Sequence, residues 1–342
     1  MTAACRIQHP DRRESASSCR WWDDAVVLEL TKNPMHRRFP HFQLIALMVS
    51  FGACSAPIHA QTPSTPKVQS GNGHPYEIVG SEVWDVPDPI SKRGYQIFVA
   101  LPPSYAKQPQ RHYPVLYVTD ADYAFPVIRQ LGRRLNVEGP QIEEFILVGL
   151  SYGKGEDGSV SRQRDYTPTP NGPSTAPPNA IHGQAHAYQQ YLRDQVKPFI
   201  TARYRADPAR AIFLGHSYGA LLGTQILFTE PGLFSSYILG SPSLWYDKRH
   251  AFKLETGYAK QNQDLRANVY LYVGAYEALR KGDRRYNQTV DMVADNRALE
   301  AALISRKYPS LKLKSAVLND EDHLTVAPRG FTQGIKYLLP VR

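Results

Sequence analysis

Cysteine is nearly missing from this chain: its 342 residues contain three, Cys5, Cys19 and Cys54, and the body beyond them has none. That excludes a disulfide framework or a thiolate metal site in the body. Long apolar runs are missing too. The most apolar stretch, Phe42 to Ala53, is too short and too rich in small residues for a transmembrane helix. Lys and Arg outnumber Asp and Glu by 40 to 31, a net charge of +9. These charges are scattered, with no basic run and no basic-aromatic module, which argues against a nucleic-acid partner. What is present is ordinary globular composition, 42% hydrophobic and 21% charged, enough for a core that needs no cross-links.

The N-terminal region does not read as part of that core. Met35 opens a good start of its own, with His36-Arg37-Arg38 as a charged region, the apolar run, and Pro57-Ile58-His59-Ala60 before Gln61 as a cleavage site. Residues 35–60 are therefore expected to be a signal peptide, and the product is expected to be periplasmic or secreted. Residues 1–34 read as a start assigned too early or a disordered extension. A lipoprotein signal ending at Cys54 is the competing reading, although Phe51 is a poor residue three positions before it. Residues 61–75 are a Pro/Ser/Thr/Gly-rich linker, and 76–342 form the folded domain.

Within that domain, apolar runs suited to strands occur at 81–86, 94–101, 113–118, 145–150, 211–215, 236–240, 268–274 and 313–318. Helical patterns lie at 125–135, 186–204, 220–228, 288–307 and 331–339. The stretch 153–181, rich in Gly and Pro, has no periodicity and is expected to be a long loop. Strands alternating with helices predict an α/β fold, a mostly parallel central sheet with helices on both faces.

The chemistry is concentrated in Ala211-Ile212-Phe213-Leu214-Gly215-His216-Ser217-Tyr218-Gly219. A buried strand, a Gly-x-Ser-x-Gly turn and a helix in succession make a nucleophile elbow, which holds Ser217 at a helix N-terminus. A serine hydroxyl needs a base to take its proton. Of the 11 histidines, His323 alone follows both the last strand and the acid candidates at 277 and 283. Glu277, just after the strand ending at Gly274, is the expected acid, with Asp283, Asp320, Glu321 and Asp322 as competitors. His216 sits beside the nucleophile in sequence and is expected to pack.

An oxyanion needs donors, and the N–H of Tyr218 is one. A second is expected from Ala121 or Asp122 in the turn after the third strand, although carboxylates nearby oppose a developing anion. Arg162 and Arg164 are candidate ligands for anionic oxygens, with an Asp165 ion pair as the alternative role. Trp245, in Ser241-Pro242-Ser243-Leu244-Trp245, is a candidate aromatic wall. No metal or other cofactor is expected.

Taken together, the 113–117 run, the 162–168 motif, the Gly215–Gly219 elbow, the 241–245 segment and His323 resemble the putative-esterase (esterase D-like) family of α/β-hydrolases. Within it the resemblance is greatest to periplasmic siderophore trilactone esterases, similar to those acting on enterobactin and salmochelin. It spans about 81–339 and implies an α/β-hydrolase fold, metal-independent ester hydrolysis, Ser217 and His323 as the working pair, and a small ester substrate, anionic or iron-chelating. Two departures stand out: Ala220 where a third Gly is common, and Asp120-Ala121-Asp122 in place of Asp-Gly-Asn. A general acyl, acetyl or feruloyl esterase, an acyltransferase, and a binding protein that keeps the scaffold without turnover are the alternatives.

Overall fold

Alternation along the strands decides how the molecule is layered. In a computed structural model of the chain, residue 71 and residues 73–341 are described. The extension 1–34, the signal peptide 35–60 with Cys54, and most of the linker lie outside them. Strand β3 (Tyr113–Val118) is buried along its whole length. Its Val115 and Tyr117 point into one apolar layer, while Leu116 and Val118 point into the other. β5 (Ala206–His216) divides likewise, Ala211 and Phe213 against Ile212 and Leu214. A period of two buried on both sides is what a central strand requires.

The remaining strands are β1 (Ser81–Asp85), β2 (Tyr95–Ala100), β4 (Ile146–Gly153), β6 (Ser236–Gly240), β7 (Asn268–Gly274) and β8 (Lys312–Leu318). They form one eight-stranded sheet in the order β1-β2-β4-β3-β5-β6-β7-β8. The pairings of β2 with β1 and β4 are antiparallel and the others are parallel. Helices α1 (Ala121–Leu135) and α8 (Val326–Leu338) cover one face through Phe125, Ile128, Phe331 and Ile335. The other face carries α3 (Ala185–Tyr191), α5 (Tyr218–Thr229), α6 (Tyr246–Gln261) and α7 (Met292–Arg306). This is the α/β-hydrolase fold.

Two stretches differ from the sequence expectation. The 153–181 region contains α2 (Gly158–Asp165), capped by Asp157 accepting the Ser159 N–H at 2.8 Å. It has no apolar stripe because charge holds it instead. Arg164 pairs with Asp165 and with Glu156, and Tyr95 donates to Asp165 at 2.9 Å. The second, α6, is a helix the sequence reading did not assign. Asp247, Lys248 and Arg249 at its start have φ of 42°, 52° and 62°, so regular helix begins only after them. Its buried Glu255 is paired with Arg306 at 2.8 Å, a polar contact where a stripe would need an apolar residue. The predicted helix 186–204 is a continuous length broken by a π turn at Leu192–Val196, before α4 (Lys197–Arg203).

Strands β3 and β5 are neighbours, yet β3 leads through α1 to β4 on one side and β5 leads through α5 to β6 on the other. Their helices lie on opposite faces. At such a switch point the carboxyl ends of the strands leave a crevice between two helix N-termini.

Candidate active site

Ser217 stands at that crevice. It separates β5 from α5 with φ 59° and ψ −119°, a conformation few residues with a Cβ adopt. The flanking glycines are required by contact. A Cβ on Gly215 would run into the backbone of Gly219 and Ala220, and one on Gly219 into Thr119 Oγ1. The turn is held from β6, because Ser217 N–H donates to Gly240 O at 2.9 Å. Ser217 Oγ lies 3.4 Å from Ser243 Oγ. It makes no hydrogen bond to His323 among the described residues.

His323 follows β8 and lines the same cavity as Ser217, a hollow of about 350 Å3 that Asp120, Tyr152, Arg162 and Phe331 also border. Its Nδ1 lies 2.6 Å from Glu277 Oε2. Glu277 is 1% exposed, and its other oxygen accepts from Ser241 Oγ at 2.5 Å and Gly274 N–H at 2.8 Å. Both carboxylate oxygens are thus satisfied, as a buried carboxylate demands. The competing acids point elsewhere. Asp283 pairs with Arg285, Asp320 accepts from the Tyr276 hydroxyl, Glu321 lies 3.5 Å from Arg329, and Asp322 caps its own turn through Leu324 and Thr325 N–H.

His216 does more than pack. Its Nε2 lies 2.9 Å from His323 O, so this nitrogen carries the proton and donates to the carbonyl. The ring stacks on Tyr272 and lies 4.7 Å from the His323 ring. Burial, with His323 adding to it, pushes its pKa down to about 3, which keeps it neutral. The sequence shows a histidine beside the nucleophile but not its reach to the loop bearing His323, which is 107 residues away along the chain.

Arg162, on α2, borders the cavity, but its charge is already paired. Nε and Nη2 donate to the two Asp120 oxygens at 3.0 and 3.3 Å, and Tyr152 donates to the same carboxylate at 2.8 Å. The guanidinium also lies over the Tyr218 ring, 5.5 Å from its centroid. Arg164 is not available to a substrate: its side chain is 3% exposed and all three of its nitrogens donate to Asp165 or Glu156. The sequence pairing of these arginines separates because residues two apart on a helix, about 100° per residue, point to roughly opposite sides. Trp245 is half-buried, packs 6.2 Å from the Tyr218 ring, and is not among the residues bordering the Ser217 cavity. Ala121 and Asp122 are the first residues of α1, behind Asp120 in the left-handed conformation. Their first-turn N–H groups have no intrahelical acceptor. These two residues border a separate hollow with Ile78 and Phe98, whereas Asp120 and Tyr123 border the Ser217 cavity. Tyr218 opens α5, so its N–H is likewise free of an intrahelical acceptor.

Among the described residues no cluster of three or more His, Cys, Asp or Glu is placed to hold a metal ion. None of their helices is long and apolar enough to cross a membrane.

A strained serine between strand and helix shares its cavity with a carboxylate-bound histidine. Residues 90–310 match the family described as Putative esterase. The chain belongs to that family. It is a carboxylic-ester hydrolase. Ferri-bacillibactin esterase BesA of Bacillus subtilis is 28% identical over 289 residues, covering 81% of this chain and 95% of that protein. Siderophore enterobactin esterase of Emericella nidulans is 28% identical over 167 residues, 45% of this chain and 55% of that protein. Among solved structures, the BES protein from Bacillus cereus superposes with a TM-score of 0.67 at 24% identity, over 79% of this chain and 100% of that one. Siderophore hydrolase EstA from Aspergillus nidulans gives 0.65 at 22%, over 79% and 98%.

Proposed function

We propose that this esterase works through Ser217, His323 and Glu277 by way of an acyl-enzyme, and that its substrate is a siderophore ester of the trilactone kind. The observation that carries the catalytic part is the 2.6 Å contact between His323 Nδ1 and the buried Glu277, made at the rim of the cavity that holds Ser217. The substrate class rests on the relatives named as siderophore esterases.

In this reading Glu277 accepts a hydrogen bond from Nδ1–H, which holds the proton on Nδ1 and leaves Nε2 of His323 free to act as base. Ser217 Oγ turns away from Ser243, passes its proton to Nε2 and attacks the ester carbonyl. Tyr218 N–H stabilises the oxyanion, assisted by the N-terminus of α5. The ester oxygen departs as an alcohol carrying the proton from Nε2. Water, deprotonated by the same nitrogen, then releases the acid and restores Ser217. Arg162, held by Asp120, offers its remaining nitrogen Nη1 to an anionic oxygen of the substrate, and Trp245 backs the Tyr218 wall. The segment 35–60 exports the enzyme.

The test is direct. Wild-type protein hydrolyses a p-nitrophenyl ester and Ser217→Ala does not. With a trilactone siderophore, product masses rise by one water for each ester opened. Turnover of p-nitrophenyl esters with an intact trilactone overturns the substrate class and leaves the general acyl esterase.

A further inference from the structure

The segment after β6 touches both ends of the array, yet its Ser241-Pro242-Ser243 sequence has no part in the mechanism above. Ser241 is fully buried and has a φ of 42°, a left-handed conformation that is costly with a Cβ. Its N–H donates to Tyr272 O at 2.7 Å, which ties the end of β6 to β7. This strained turn delivers Oγ to Glu277 Oε1 at 2.5 Å. Strain of that kind persists only where the surroundings hold it, and it concentrates at working sites. Ser243 is anchored nearby, its N–H donating to Ser217 O at 3.3 Å.

We infer that Ser241 is a positioning residue of the esterase reaction: its hydroxyl donates to Oε1 and turns Oε2 toward His323. This inference rests on the reading of Ser217, His323 and Glu277 as a triad. Several other groups face the acid-imidazole pair. The His216 ring lies 4.7 Å from His323, the buried Tyr272 feels the Glu277 charge, and Arg162 borders the same cavity as His323. Asp320 is tied to Tyr276, Glu321 to Arg329, and Asp322 to its own turn. Among the described residues only Ser241 and the Gly274 N–H donate to Oε1.

Ser241→Ala and Ser241→Gly both delete the hydroxyl, and Gly also relaxes the left-handed backbone, so a folding defect in the first does not close the question. On a p-nitrophenyl ester both variants lower kcat about tenfold with KM little changed, the size expected for a hydrogen bond to a charged group. In a Glu277→Ala background the same substitutions change nothing further. Wild-type kcat in both variants, or full additivity with Glu277→Ala, overturns the inference. Ser217→Ala in the same assay tests the underlying reading separately. Retained turnover there overturns the triad, whereas an inactive Ser217→Ala beside indifferent Ser241 variants overturns the positioning role alone.

Discussion

Charge pairing around the nucleophile sets what single residues do. Ser217→Ala and His323→Ala lower turnover by about 10^3-fold or more, measured as kcat on a p-nitrophenyl ester, because each removes a member of a unit that acts jointly. Arg162→Ala leaves the Asp120 carboxylate unpaired at the cavity. KM for an anionic ester therefore rises more than KM for a neutral ester of similar size, and equal KM changes would contradict a contact with the anion. His216 carries a pH prediction. Its value in the folded protein lies near 3, against 6.5 for an ordinary histidine. The unfolded chain takes up a proton below about 6.5 that the folded chain refuses. Stability present above 6.5 is thus lost as pH falls toward 3. His216→Asn shows a shallower decline of Tm over that range, and parallel curves for the two proteins would exclude a buried neutral His216.

Elements hold these residues by two different means. The elbow relies on close approach: Gly215→Ala drives a Cβ into the backbone of Gly219, which cannot swing aside as a side chain would. The expected loss is about 1–3 kcal/mol, read from the urea midpoint, with activity falling too because Ser217 shifts. Helix α2 relies on buried charge. Arg164→Met strands Asp165, which is 2% exposed, and costs about 3–5 kcal/mol. Because α2 also carries Arg162, KM rises in the same variant. Both arginines are plain in the sequence, but their division of labour is not. The Asp165 ion pair was offered by the local sequence, but nothing local in residues 158–165 says that Arg164 takes it, together with Glu156, while Arg162 faces Asp120, 42 residues earlier. Helix α6 was hidden for a similar reason, since its buried Glu255 finds Arg306 51 residues away.

Across the whole molecule, the sheet converts a chain order into a site. β3 and β5 adjoin while their helices leave to opposite faces, and the crevice between them receives Ser217 from one strand end and Asp120 from the other. Left-handed residues mark the carboxyl ends of four strands: Asp120 after β3, Ser217 after β5, Ser241 after β6 and Asp320 after β8. Strain is thus concentrated in the turns at the carboxyl ends of the strands, two of which border the Ser217 cavity. The proposed export is tested at this scale as well. N-terminal sequencing of the protein from its producing cells is expected to begin at Gln61, and a lipid-modified Cys54 at that position would favour an anchored form instead.

The sequence by itself determined what short-range rules reach: buried strands from apolar runs, the elbow from Gly-x-Ser-x-Gly between strand and helix, and the order of serine, acid and histidine. The first two depend on neighbours within a few residues, where sterics and alternation act, and the third on the order of elements along the chain. Only the tertiary structure decided which of several carboxylates meets His323, that Arg164 is consumed by buried partners, that Arg162 is paired with Asp120, and that His216 reaches the His323 carbonyl and Ser241 the Glu277 carboxylate. Those outcomes depend on pairs of polar groups brought together across dozens of residues. A charged side chain is worth placing in a protein only where its partner arrives, and the sheet settles where that is.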